Sequence, residues 1–240
     1  MLYQTDLYIR KTDLSGLYSD LAVKVHGYLM SRLPQDYAAE LHEAGEHPFS
    51  LFCCYGEEYG IIRVSALDDR AAVIVQLLAE TKIIRVFGTD RNISVFHASD
   101  ISRVSCETLR MPPQYRRCRL EFRSPAMYRS GGVMRHEPSL PVYFTSVRKK
   151  LEAFEGVALS AEQTENAFRG VQYGEYRLEA SQFLYGGRKM YGMTGSVELT
   201  LPREPEDAAL LHLLFSYAAF SGVGAKTAQG CGGLTVQPLG

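Results

Sequence analysis

The chain has 240 residues, 46% of them hydrophobic and 22% charged, the composition of a globular protein with room for one large domain or two small ones. Its net charge of −1 excludes a protein basic throughout, its polar–apolar N-terminus with Asp6 is unlike a signal peptide, and its longest apolar run, 71–75, is far too short to span a membrane. Five cysteines without a C-x-x-C pair argue against a disulfide framework or a zinc site and suit a reducing cytoplasm.

In chain order, residues 2–10 alternate as a strand. Leu17, Leu21, Val25, Leu29 and Leu33 recur at helical spacing, and Pro34 ends that helix. A short second helix over 35–44 follows, with Gly45 after its end. Residues 49–55 and 60–65 read as paired strands around Gly56. Residues 67–80 read as a helix with Ala71, Ile74, Leu77 and Leu78 on its apolar face, and 82–87 as a strand that 93–96 continues or pairs with. Met111-Pro112-Pro113 is the expected connection to a second half that repeats this order.

There, 119–122 reads as a strand, and Phe144, Val147, Leu151 and Phe154 mark a helix. Strands over 171–184 and 189–201 follow, with Gly186-Gly187 as their hairpin turn. Pro205 opens a last helix carrying Ala208, Leu211, Leu214, Phe215 and Ala218, and 234–236 closes as a strand. Two successive βαββαβ units predict an α+β fold of two tandem ferredoxin-like (RRM-like) domains, 1–110 and 111–240. The aromatic motif of an RNA-recognition module is absent, so the fold alone confers no RNA binding.

Charge is unevenly spread. Between Arg110 and Lys150 ten basic residues face only Glu121 and Glu137, so this segment carries +8 and the remainder −9. Within a neutral protein that is either the electrostatic footprint of a nucleic acid or a solvated arginine-rich hairpin. The last helix runs into Gly222-Val223-Gly224-Ala225-Lys226-Thr227-Ala228-Gln229-Gly230-Cys231-Gly232-Gly233. Glycines at this density serve positive φ or close approach to the backbone, and amides beside an ammonium hold anions. A capping role for Gly222 explains only part of the set. A P-loop is excluded because Ala225 precedes Lys226 and the order is helix, loop, strand. The dinucleotide fingerprint fails for want of a third glycine and a following helix. A polyanion backbone remains.

The run from Ser216 to Gly233 resembles, almost residue for residue, the terminal helix and glycine-rich loop of the CRISPR-associated endoribonucleases that cut repeat RNA into guide units. Leu41-His42-Glu43 with Pro48-Phe49-Ser50, the basic hairpin before Pro141, and residues 187–197 with Gly192 and Gly195 are similar to further segments of that family. The resemblance implies cleavage without metal or other cofactor. The ribose 2′-hydroxyl attacks the adjacent phosphate and leaves a 2′,3′-cyclic phosphate and a 5′-hydroxyl. RNA is the implied partner, with a ribonucleoprotein effector complex and a homodimer as further ones, and a non-cleaving RNA-binding protein of the same fold is the rival reading.

Such an attack needs a base and an acid, and imidazole suits both. His42 stands in the family's Leu-His-Glu position at the end of the short helix, where the dipole favours an imidazolium donor; a surface cap is the alternative. His26 flanks the apolar stripe of the first helix, and is either a satisfied core histidine or the catalytic one. Tyr28 either orients the 2′-hydroxyl or packs. His47 stands where some members carry a lysine beside the scissile phosphate, and a neutral imidazole would stabilise that charge poorly. For RNA contact the expectations are Lys226 and Thr227 with the amides of Gly222, Gly224, Gly230 and Gly232. Arg116, Arg117, Arg119, Arg129 and Arg135 would add groove-facing charge, and Arg188 and Lys189 a second cationic turn.

Overall fold

The computed structural model describes residues 1–17, 20–86 and 90–239. Its first half runs β1 (Leu2–Arg10), a short 3-10 turn (Lys11–Leu14), α1 (Leu21–Arg32), α2 (Gln35–Glu43), β2 (Phe49–Tyr55), β3 (Tyr59–Ala66) and α3 (Ala72–Glu80). Then come β4 (Ile83–Arg85), β5 (Asn92–Ser94), β6 (His97–Ala98), β7 (Ser102–Val104) and the single-turn helix α4 (Cys106–Leu109). The main sheet has the antiparallel order β2-β3-β1-β6, with β7 also alongside β1. Alternation along the strands sends Leu7 and Ile9 of β1, Leu51 of β2, and Ile62 and Val64 of β3 into one core with Leu21, Val25 and Leu29 of α1 and Ile74, Val75 and Leu78 of α3.

One strand departs from expectation. Within the expected strand 82–87, only Ile83–Arg85 is extended; it pairs with β5 as a separate two-stranded ribbon, Ile84 opposite Ile93, and Phe87 lies outside the described residues. Each short strand buries only its central isoleucine, so the pair covers the edge of the core without joining the main sheet. The place beside β1 falls to β6 and β7, whose polar sequences carry no strand periodicity.

The second half runs β8 (Arg117–Ala126), β9 (Tyr128–Ser130), β10 (Val133–Arg135), α5 (Leu140–Glu155), α6 (Ala161–Arg169), β11 (Gln172–Tyr185), β12 (Arg188–Thr200), α7 (Pro205–Ser221) and β13 (Leu234–Leu239). The order β11-β12-β8-β13 repeats that of the first half, so both are ferredoxin-like. β9 and β10 form the basic hairpin, turning at Gly131-Gly132. The mostly polar α6 escaped the apolar pattern, yet Ser160 and Gln163 form its capping box and Ala167 and Phe168 its buried face.

The halves share their cores. Leu2 and Leu67 of the first half are buried in the core of the second, with Cys106 of α4, whereas Ala228 of the glycine loop is buried in the core of the first. α7 is apolar nearly all round because it is covered on both sides, by α5 and β13 in its own half and by β2 and β3 across the junction. Gln4 donates to the carbonyl of Ala219 at 3.1 Å, and Ser50 to that of Phe220. Among the described residues no helix is long and apolar enough to cross a membrane.

Candidate functional site

The glycine loop closes on itself and on both halves. Gly224 has φ 75°, and a Cβ there would lie 2.0 Å from the Met127 carbonyl oxygen; at Gly230 it would lie 2.2 Å from Cβ of Ala22 on α1. No other residue fits such approaches. The amides turn inward. Gly224 donates to Ser146 Oγ at 2.7 Å, Ala225 to Met127 at 2.7 Å, Gly232 to Pro125 at 3.0 Å and Gly233 to Ser124 Oγ at 2.8 Å. The amide of Gly222 caps α7 through Ala218. The amides of Gly222, Gly224 and Gly232, expected at the phosphate, donate within the protein here, and the glycines permit the packing.

Thr227 also packs inward. It is buried, and its hydroxyl accepts from Nζ of Lys150 on α5 at 2.6 Å. Lys226 is the cation the loop does present. Its backbone is left-handed at φ 61°, and its ammonium lies 3.7 Å from the centroid of Tyr185 and 3.3 Å from Gln229 Oε1. Tyr185 pairs across the hairpin with Arg188, and Leu184 with Lys189, so the second cationic turn ends beside the loop.

The histidines expected to do chemistry meet at one place. His26 stacks on Phe49, centroids 6.0 Å apart at 9°, and meets His42 edge-on at 6.5 Å. His47 contacts the other edge of Phe49 at 6.2 Å. His42 is exposed in the last turn of α2, α1 places His26, β2 places Phe49, and His47 sits in the loop between α2 and β2. His26 Nδ1 lies 3.0 Å from the carbonyl oxygen of Ala228. Since a carbonyl only accepts, Nδ1 carries the proton and Nε2 of the neutral ring is the basic nitrogen. Burial, reinforced by His47 and His42, pushes the pKa of His26 down to about 4. Burial also lowers that of His47, aided by the charge of Lys150. Tyr28 packs in the first core, to which Phe49 also belongs.

Beside the histidines a cavity of about 530 Å³ lies between the halves. Arg129, Lys149, Lys150 and Lys226 line it, with His47 and one carboxylate, Glu46. Of the arginines expected to face a groove, Arg129 does so here. Arg135, on β10, is exposed and pairs with Glu137 at 3.3 Å. Arg117 and Arg119 instead sit on the open face of β8, both on Glu198, at 3.4 and 2.6 Å, and Arg116 donates to the Leu201 carbonyl. These three lie against the second sheet and are not among the residues that line the cavity. Sequence reasoning counted Lys150 among the basic residues but never singled it out. Its signal was a lysine one turn from Val147, on the apolar stripe of α5.

Comparison with known proteins places this arrangement. Residues 120–234 match the family model of CRISPR-associated endoribonuclease Cas6. A curated Cas6 endoribonuclease of Mycobacterium tuberculosis is 24% identical over 235 residues, covering 91% of this chain and 72% of that protein. One from Streptococcus thermophilus is 25% identical over 239 residues, covering 91% and 92%. A Thermus thermophilus Cas6 solved as a product complex superposes with a TM-score of 0.76 at 21% identity, covering 100% of this chain and 99% of that one. A Cas6 substrate mimic complex gives 0.72 at 24%, covering 98% and 99%. Fold and matches together define an endoribonuclease of tandem ferredoxin-like architecture. The chain is similar to the CRISPR-associated endoribonucleases of the Cas6 family, to the family model over residues 120–234 and to these relatives over most of its length.

Proposed function

We propose that the protein cuts CRISPR repeat RNA in the cleft between its halves, without metal, by attack of a ribose 2′-hydroxyl on the adjacent phosphodiester. The products are a 2′,3′-cyclic phosphate and a 5′-hydroxyl, and the partners are the repeat RNA and, after cleavage, a ribonucleoprotein effector complex in the cytoplasm. One observation carries this reading: His26 and His42 face each other edge-on beside a cavity lined by four cations. The half up to residue 110 supplies the histidines, and the half from 111 supplies the charge.

His26 is held neutral with Nε2 unprotonated, the form of a base that takes the 2′-hydroxyl proton. His42, exposed on the other side, gives a proton to the departing 5′-oxygen. Arg129, Lys149 and Lys226 hold phosphates along the cleft, and their positive charge stabilises the charge that accumulates on the phosphorane. Incubation with a repeat RNA in EDTA, beside a copy carrying one 2′-deoxyribose at the cut site, tests the mechanism. Cleavage of the first and not the second is expected. Dependence on magnesium, or cutting of the deoxy copy, would refute it.

A further inference from the structure

Lys150 is 3% exposed and lies on the wall of the cleft. Its ammonium donates to two neutral oxygens, the Ser221 carbonyl at 2.7 Å and Thr227 Oγ1 at 2.6 Å. An ammonium has three donors, and two are accounted for. None of the ion pairs among the described residues includes it. Glu46, which also lines the cavity, is the carboxylate whose charge reaches it, without pairing. A buried cation lacking a counter-ion is costly to the fold, and such groups are ordinarily paired. Against that single unpaired carboxylate, Lys149, Arg129 and Lys226 line the same cavity, so positive charge prevails there.

We infer that Lys150 forms the floor of a phosphate subsite in the cleft, one phosphate group of the bound RNA being the counter-ion that the folded protein lacks. The inference rests on the reading of the cleft as the RNA site. The two hydrogen bonds to Ser221 and Thr227 fix the ammonium before the ligand arrives, so its charge is preorganised. A single buried contact, rather than the sum of surface cations, then sets where the backbone sits.

Inorganic phosphate is the first probe, read by calorimetric titration and by thermal unfolding of the whole chain. Wild type is expected to bind it and to gain melting temperature with concentration. Lys150→Met should lose both responses, and Lys150→Arg should keep part of them. Thr227→Val removes one hydrogen bond but leaves the ammonium, so its phosphate response should persist. With repeat RNA, the plot of log affinity against log salt should be shallower for Lys150→Met by about one phosphate contact. Phosphate binding by Lys150→Met at wild-type strength would overturn the inference, as would equal losses in Thr227→Val, which would make Lys150 a clamp for the loop. A phosphate response that depends on Lys150 in a protein that leaves repeat RNA uncut would support the subsite and refute the cleavage reading instead.

Discussion

His26 and Ala228 are 202 positions apart in the chain, yet imidazole Nδ1 and carbonyl oxygen meet at 3.0 Å across the junction of the two halves. That contact decides which nitrogen of His26 is basic. It also ties the backbone of the glycine loop to the ring proposed as the base.

Replacing either histidine should separate cutting from binding. For His42→Ala and for His26→Ala, single-turnover cleavage of repeat RNA is expected to fall by roughly 10²–10⁴-fold, the contribution of a positioned acid or base. Affinity for the uncut RNA, measured by filter binding, should change little. Full activity in His26→Ala would remove it from the mechanism, and full activity in His42→Ala would leave His26 alone.

Acid should destabilise the fold in a defined window. Folded His26 titrates near 4, against 6.5 for the ordinary side chain. Between those values the unfolded chain holds a proton that the folded one refuses, so stability is complete above the window and declines as pH falls through it. The slope for one such group is at most ~1.4 kcal/mol per pH unit. His47, also shifted down, adds in the same direction. Urea midpoints measured on both sides of the window should converge in His26→Asn relative to wild type.

The close approach of Gly230 to Ala22 predicts a coupled pair. Gly230→Ala places a methyl against Cβ of Ala22 at left-handed φ, and should cost more than about 1 kcal/mol. Adding Ala22→Gly removes the clash but leaves the backbone strain, so a double-mutant cycle in urea should give a favourable coupling of roughly 0.5–3 kcal/mol. Additive losses would show that α1 and the loop do not press on each other.

Two arginines on the second half should behave differently. Arg129→Ala is expected to lower the salt slope of RNA binding by about one contact, whereas Arg119→Ala, whose guanidinium is held by Glu198, should leave it unchanged. Equal effects would mean that the open face of β8 also carries RNA.

Elements with their own periodicity were legible in the sequence. The Leu17–Leu33 stripe and the hairpin around Gly186-Gly187 predicted α1 and the β11–β12 turn, and two such units led to the duplicated fold. Features set by partners distant in sequence were not. The short strand at Ile83 takes its place from Ile93, and β6 and β7 earn theirs by lying next to β1. The glycines were legible as a site of close approach, but nothing local says that Met127, Ala22 and Thr227 are what approaches. His26 and His42 could each be named from local pattern, while their edge-on meeting is a product of folding.

The exchange of core residues between the halves has a thermodynamic consequence. Ala228 fills the first core, and Leu2 and Leu67 fill the second, so neither half retains a closed interior when the other melts. The chain should therefore unfold in one calorimetric transition, with equal van't Hoff and calorimetric enthalpies. On that expectation the two units share a topology without having separate stabilities.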